Sequence, residues 1–134
     1  MSRRALTVVT LLLGFIPVIT GLIGLLGLRD PLYVAFGVVP NVPLDSNLRF
    51  FSGLWLGLGL AVFWVAPRVA EQTVLFRVLW LAIFLGGVGR LISLFDAGAP
   101  PAPFFGVLAL ELVGAPVFVW WQSRVANEAS APTS

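Results

Sequence analysis

Four long apolar stretches, almost free of charge, occupy most of this 134-residue chain, at about residues 5–28, 47–66, 74–95 and 104–121. A bilayer core is about 30 Å thick, and a helix rises about 1.5 Å per residue, so around 20 apolar residues are needed to cross it. Inside lipid every backbone N–H and C=O must find a partner within the protein, and helices achieve that locally. The expected fold is therefore an all-α integral membrane protein, an antiparallel up-down bundle of four transmembrane helices. Residues 1–122 form its single domain, and the small, polar tail at 123–134 is expected to be disordered beyond a last helical turn.

Composition supports lipid as the outer solvent. Hydrophobic residues make up 59% of the chain and charged residues 10%, against about a quarter charged in soluble domains. Cysteine, histidine and lysine are absent. Disulfides, thiolate clusters, histidine-ligated haem or metal and His-based catalytic triads are thereby excluded, and no cofactor is expected. A net charge of +2 spread over the ends of the spans leaves no nucleic-acid footprint. Arg3 and Arg4 before the first span resemble the start of a signal peptide. The run of about 24 residues that follows exceeds a secretory h-region and lacks a small-x-small cleavage site, which predicts a retained signal-anchor helix.

Prolines and caps punctuate the spans. Pro17 removes an N–H inside span one and predicts a kink there, eased by Gly14. Asp45-Ser46-Asn47 offers N-cap chemistry for span two, which Pro67 ends. Pro103 suits the first turn of span four, and Pro116 predicts a bend in it. Between spans one and two, Asp30-Pro31 starts a helix over Leu32–Phe36 that is too short to cross. It is expected to lie at the outer interface, as a lid or a plain connector. Arginine placement orients the bundle: with both termini cytoplasmic, Arg3, Arg4, Arg68, Arg77 and Arg124 lie inside, against Arg29, Arg49 and Arg90. Trp64, Trp80, Trp120 and Trp121 then gather at the cytoplasmic interface. The expected location is a bacterial inner membrane.

Three charges lie in or against the spans: Arg49, Arg90 and Glu111. In this topology Arg49 occupies the first outer turn of span two, Arg90 lies about 8 Å inside the outer end of span three, and Glu111 about 12 Å inside span four. Their depths match, so they are expected to converge in the outer half of the bilayer. On each helix the charge shares a face with small residues, Gly53 and Gly57, Gly86, and Gly114, the pattern that lets helices approach closely in lipid. Mid-helix charges cost about 2.5–3.5 kcal/mol each when unpaired. An Arg90–Glu111 pair with two parallel bonds is the expected remedy. Asp45 or Glu111 would offset the helix dipole at Arg49, with Asn47, Ser52 and Ser93 as polar neighbours.

Asp45-Ser46-Asn47-Leu48-Arg49-Phe50 with Gly53, then Gly86-Gly87-Val88-Gly89-Arg90 and Glu111, resemble a family of small bacterial inner-membrane proteins known as domain of unknown function 4345. The resemblance spans roughly residues 5–122 and implies a four-helix membrane protein without an assigned activity. A looser similarity to four-helix quinone-associated or DoxX-like membrane proteins rests on fold analogy alone.

Several functions compete on these residues. The cluster is either a buried ion pair fixing helix register or an electropositive pocket for an anionic or carbonyl-bearing headgroup. The pocket reading makes the protein a non-catalytic binding or accessory protein with Arg49, Arg90, Glu111, Asn47, Ser93 and Asp45 as ligand-binding residues. Its expected partners are membrane lipid, an amphipathic small molecule or a quinone. A proton-linked exporter using Glu111 is a second reading, although exporters of the small multidrug-resistance kind carry their acid in span one, which here has none. An isomerase with Glu111 as acid/base is a third; the sequence supplies no nucleophile or metal set beside it, and a second carboxylate such as Asp45 or Asp96 facing Glu111 across a cavity would favour it. A structural subunit of a homo-oligomer or larger membrane complex is the fourth.

Overall fold

The computed structural model describes residues 2–130. Its elements are α1 (Arg3–Gly24), a 3-10 turn (Gly27–Arg29), α2 (Pro31–Ala35), α3 (Val42–Val65), a second 3-10 turn (Ala66–Arg68), α4 (Thr73–Asp96), α5 (Pro103–Ala109), a π-helical turn (Leu110–Gly114) and α6 (Ala115–Ser130). Four helical stretches are long and apolar enough to cross a membrane: Arg3–Gly24, Val42–Arg68, Thr73–Asp96 and Pro103–Ser130. They are consistent with a multi-pass membrane protein. The fourth stretch joins α5, the π turn and α6. The short α2 stands where the sequence expects a short helix, capped by Asp30, whose side chain accepts from the Leu32 N–H at 2.9 Å.

Many large apolar side chains point outward among the described residues. Phe51 is 63% exposed, Val74 77% and Phe95 80%. Contiguous apolar surface of this kind marks an interaction with lipid or protein.

The residues form two compact units, Val8–Pro67 and the described residues of Met1–Thr7 with Arg68–Ser134. In the first unit α1 buries one face through Thr10, Gly14, Pro17, Gly21 and Gly24, spaced by three and four residues. That spacing keeps them on one stripe. The stripe meets α3 so closely that a methyl group on Gly21 would lie 2.8 Å from the Leu56 backbone nitrogen. One on Gly14 would lie 2.8 Å from the Phe63 ring, and one on Gly59 of α3 would lie 2.7 Å from Val18. Small residues permit this approach, which dispersion then stabilises. Phe15 packs edge-on to Phe63 at 4.9 Å between ring centroids. Close to Pro17, the Thr20 hydroxyl donates to the Ile16 carbonyl at 2.6 Å and accepts from the Trp55 indole N–H at 2.8 Å.

Helix α3 begins earlier than the sequence suggests. Asn41 is its N-cap, accepting from the Leu44 N–H at 3.1 Å, with Pro43 in the first turn. The Asp45-Ser46-Asn47 segment is therefore already helical, because Pro43 has no N–H to lose at that position and its fixed φ favours helix. Asp45 is thereby released for another task.

In the second unit α4 packs on α6. Gln122 sits beside Val69 and Thr73, Phe118 stacks on Trp80 at 4.4 Å, and Glu111 lies beside Gly87 and Arg90. Leu6, Val69, Phe76, Trp80, Phe118 and Val125 are buried. The amide of Gln122, fully buried, donates to the Val69 carbonyl and the Thr73 hydroxyl, both at 2.9 Å. Helix α6 continues to Ser130, through the stretch expected to be disordered beyond one turn. Burial of Gln122 and Val125 supplies the packing that local composition lacks. Residues 131–134 of that expected tail lie outside the described residues.

Candidate functional site

Asp45 and Arg49 stand one turn apart on α3, so their side chains meet. Arg49 Nε donates to Asp45 Oδ2 at 2.7 Å, and its terminal nitrogens donate to the Leu25 carbonyl at 2.6 Å and the Leu26 carbonyl at 2.9 Å. The Leu28 N–H donates to Asp45 Oδ1 at 2.8 Å. These groups lie just past Gly24, the last residue of α1, and the Leu26 carbonyl also accepts from the Arg29 N–H at 3.2 Å. A cation at the C-terminus of α1 also matches the negative end of that helix dipole, which compensates its unfavourable place near the start of α3. Gly27 makes the fit possible. Its φ is +62°, and a Cβ there would collide with the Asp45 carboxylate and come within 2.9 Å of Arg49 Nε. Asp45 and Arg49 together form a clip on the end of α1.

Glu111 is placed by a different device. Pro116 has no N–H to offer within the helix and crowds the carbonyl four residues before it. The chain relieves this by widening one turn, Leu110–Gly114, into π geometry, with the Ala115 N–H donating to the Leu110 carbonyl five residues back. Single π turns in α-helices occur frequently at functional sites. Gly87 on α4 then lets this turn approach: a Cβ on Gly87 would lie 2.8 Å from Glu111 Cβ. Within the Gly86-Gly87-Val88-Gly89-Arg90 run, Gly87 is the packing residue, whereas Gly86 and Gly89 face open space.

The resulting pair is lopsided. Glu111 is 4% exposed, while the Arg90 side chain is 44% exposed. Arg90 Nε donates to Glu111 Oε1 at 3.2 Å and lies 3.0 Å from Oε2. Its approach is misaligned for Oε2, which is buried with a charge contact but no hydrogen-bond donor. The expected parallel double bond is thus absent. The Arg90 terminal nitrogens make no hydrogen bond among the described residues, and the guanidinium carbon sits 5.8 Å from the Phe104 ring centroid, within cation–π range. Spare donors on an accessible cation stand beside a spare acceptor on a buried anion.

The structure brings Asp45 to Arg49 and Arg90 to Glu111, each pair within its own unit. Asn47 and Ser93 are exposed, and their side chains make no hydrogen bond among the described residues. The glycines expected to pack helices lie elsewhere than expected: Gly57 and Gly86 have nothing within 4 Å, Gly53 has only a Leu25 methyl at 4.0 Å, and Gly114 meets Leu110 of its own turn. Close contacts fall instead on Gly14, Gly21 and Gly24 of α1, on Gly59 two positions from Gly57, and on Gly87 one position from Gly86. Among the described residues no three acidic side chains gather as metal ligands.

Neither a curated protein nor a solved structure matches the chain. A family profile described as "Domain of unknown function (DUF4345)" matches residues 5–122. That match takes in both arginine motifs and Glu111, and the chain belongs to this family.

Proposed function

We propose that this protein is a non-catalytic binding or accessory protein of a bacterial inner membrane. In this reading its four long helices cross the bilayer as an antiparallel bundle, both termini face the cytoplasm, and α2 lies at the outer interface. The ligand is an amphipathic molecule with an anionic or carbonyl headgroup, a lipid or a quinone-like compound, seated at Arg90 and Glu111 with Ser93 one turn along the same helix face.

The observation that supports this is the unequal pairing at Arg90. A cation held only for register would be expected to use its terminal nitrogens on protein acceptors, as Arg49 does. Arg90 keeps those donors unengaged and accessible at a depth where a lipid-borne carbonyl or acid can reach them. Arg49 and Asp45 act here by holding the end of α1, outside the ligand's own contacts. The donor-free Glu111 Oε2 favours a second reading, a proton-linked role in which the carboxyl group gains and releases a proton as its arginine partner moves.

The test is chemical identification. Protein purified in mild detergent is extracted, and the extract is compared with that of Arg90→Ala by liquid chromatography and mass spectrometry. One amphipathic compound should accompany wild type and be depleted with the variant. An unchanged extract from folded Arg90→Ala would remove the binding reading. Proton-coupled transport abolished by Glu111→Gln in vesicles would favour the second.

A further inference from the structure

A groove of about 350 Å³ runs along the second unit between α4 and α6, open on one side and lined by Arg77, Trp80, Leu81, Phe84, Pro116 and Val119. Its walls are hydrocarbon and aromatic except at one end. Residues 77, 80, 81 and 84 fall on one face of α4, covering about 10 Å of helix. The floor is rigid: Trp80 is stacked flat on Phe118 with rings 2° from parallel. Pro116 and Val119 form the facing wall, and Pro116 presents no N–H to an occupant.

Arg77 closes one end, in the second turn of α4, about 20 Å along that helix from Arg90. It is exposed and makes no ion pair or hydrogen bond among the described residues. Asp45, Glu71 and Glu111 are taken by Arg49, Arg3 and Arg90. An unpaired guanidinium at the mouth of an apolar channel calls for a molecule with an anion at one end and hydrocarbon behind it.

We infer that the α4–α6 groove is a seat for an anionic glycerophospholipid, its phosphate on Arg77 and one acyl chain along Trp80, Phe84, Pro116 and Val119. The inference rests on the reading that these helices cross a bilayer, and it concerns a site separate from Arg90 and Glu111. Arginine suits a phosphate because its planar fork binds two oxygens together. Basic pockets between transmembrane helices are established seats for acidic headgroups.

The full chain is placed in nanodiscs of equal phosphatidylglycerol and phosphatidylcholine with matched acyl chains, and native mass spectrometry reads the lipids retained on release. Wild type should retain phosphatidylglycerol over phosphatidylcholine by about fivefold, the preference that one arginine at an anionic headgroup supports. Arg77→Gln should bring the ratio to parity, Arg77→Lys should restore most of it, and Val119→Trp, which fills the groove, should reduce retention of both lipids. The drop between wild type and Arg77→Gln should persist when both are made in an Arg90→Ala background, where any lipid held at Arg90 is already lost, so failure of the Arg90 site and failure of this one are told apart. Undiminished phosphatidylglycerol preference in Arg77→Gln, or full retention in Val119→Trp, would overturn the assignment.

Discussion

Arg90 and Glu111 differ more in surroundings than in charge, and that difference fixes what their loss does. Removing the arginine leaves a carboxylate buried at 4% exposure without a counter-charge, whereas neutralising the acid leaves a half-exposed guanidinium that solvent or headgroups can take. Breaking a buried charge interaction from the side that strands the buried partner is the costly direction. Arg90→Ala should therefore lower the melting temperature in detergent more than Glu111→Gln, and the double variant should recover most of the loss. The reverse order would show that the arginine, not the acid, is the buried member. Gly27 carries a different constraint: its left-handed backbone and the adjacent Asp45 leave no room for a side chain. Gly27→Ala should cost about 1–2 kcal/mol from backbone strain alone, read as a fall in melting temperature that Gly37→Ala, with positive φ but open space around it, should match only in part.

At the scale of elements, helix contact is decided by which glycines face a neighbouring backbone. A methyl on Gly21 meets the Leu56 backbone, and one on Gly57 meets nothing. Gly21→Ala should destabilise by about 1–3 kcal/mol through overpacking. Gly57→Ala and Gly86→Ala should stabilise by about 0.5–1 kcal/mol, since a helical glycine costs that much relative to alanine. Chemical denaturation in mixed micelles separates the signs. The apolar spans were legible because period and length suffice to find them. The Arg90–Glu111 pairing followed from matching helix depth and phase. The stripe Thr10, Gly14, Pro17, Gly21, Gly24 is equally present in the sequence, but small residues recur on several faces of these helices, and spacing alone does not tell which face meets a neighbour. The π turn was not legible: a proline announces relief of a lost hydrogen bond, and bending and widening are alternative forms of that relief. Nor was the clip, since Arg49 bonds to backbone carbonyls, and backbone acceptors have no letter in a sequence.

For the whole molecule, the proposed orientation with both termini on one side requires an even number of crossings. The chain contains no cysteine, so single cysteines can report sidedness without a background. Cysteines at Ser2 and Asn127 should react with an impermeant maleimide from one side of sealed vesicles, and those at Val39 and Ala99 from the other. Labelling of positions 2 and 39 from the same side would remove the four-span topology and the common depth of Arg90 and Glu111 with it. The two arginine pairs divide the work in this account: Arg49 with Asp45 secures a helix end, and Arg90 with Glu111 receives a ligand. Native mass spectrometry of wild type, Arg49→Ala and Arg90→Ala, released from one mild detergent, tests that division most directly. Wild type and the folded fraction of Arg49→Ala should carry the same small-molecule adduct, and Arg90→Ala should lack it; an adduct of equal occupancy on Arg90→Ala would contradict the account.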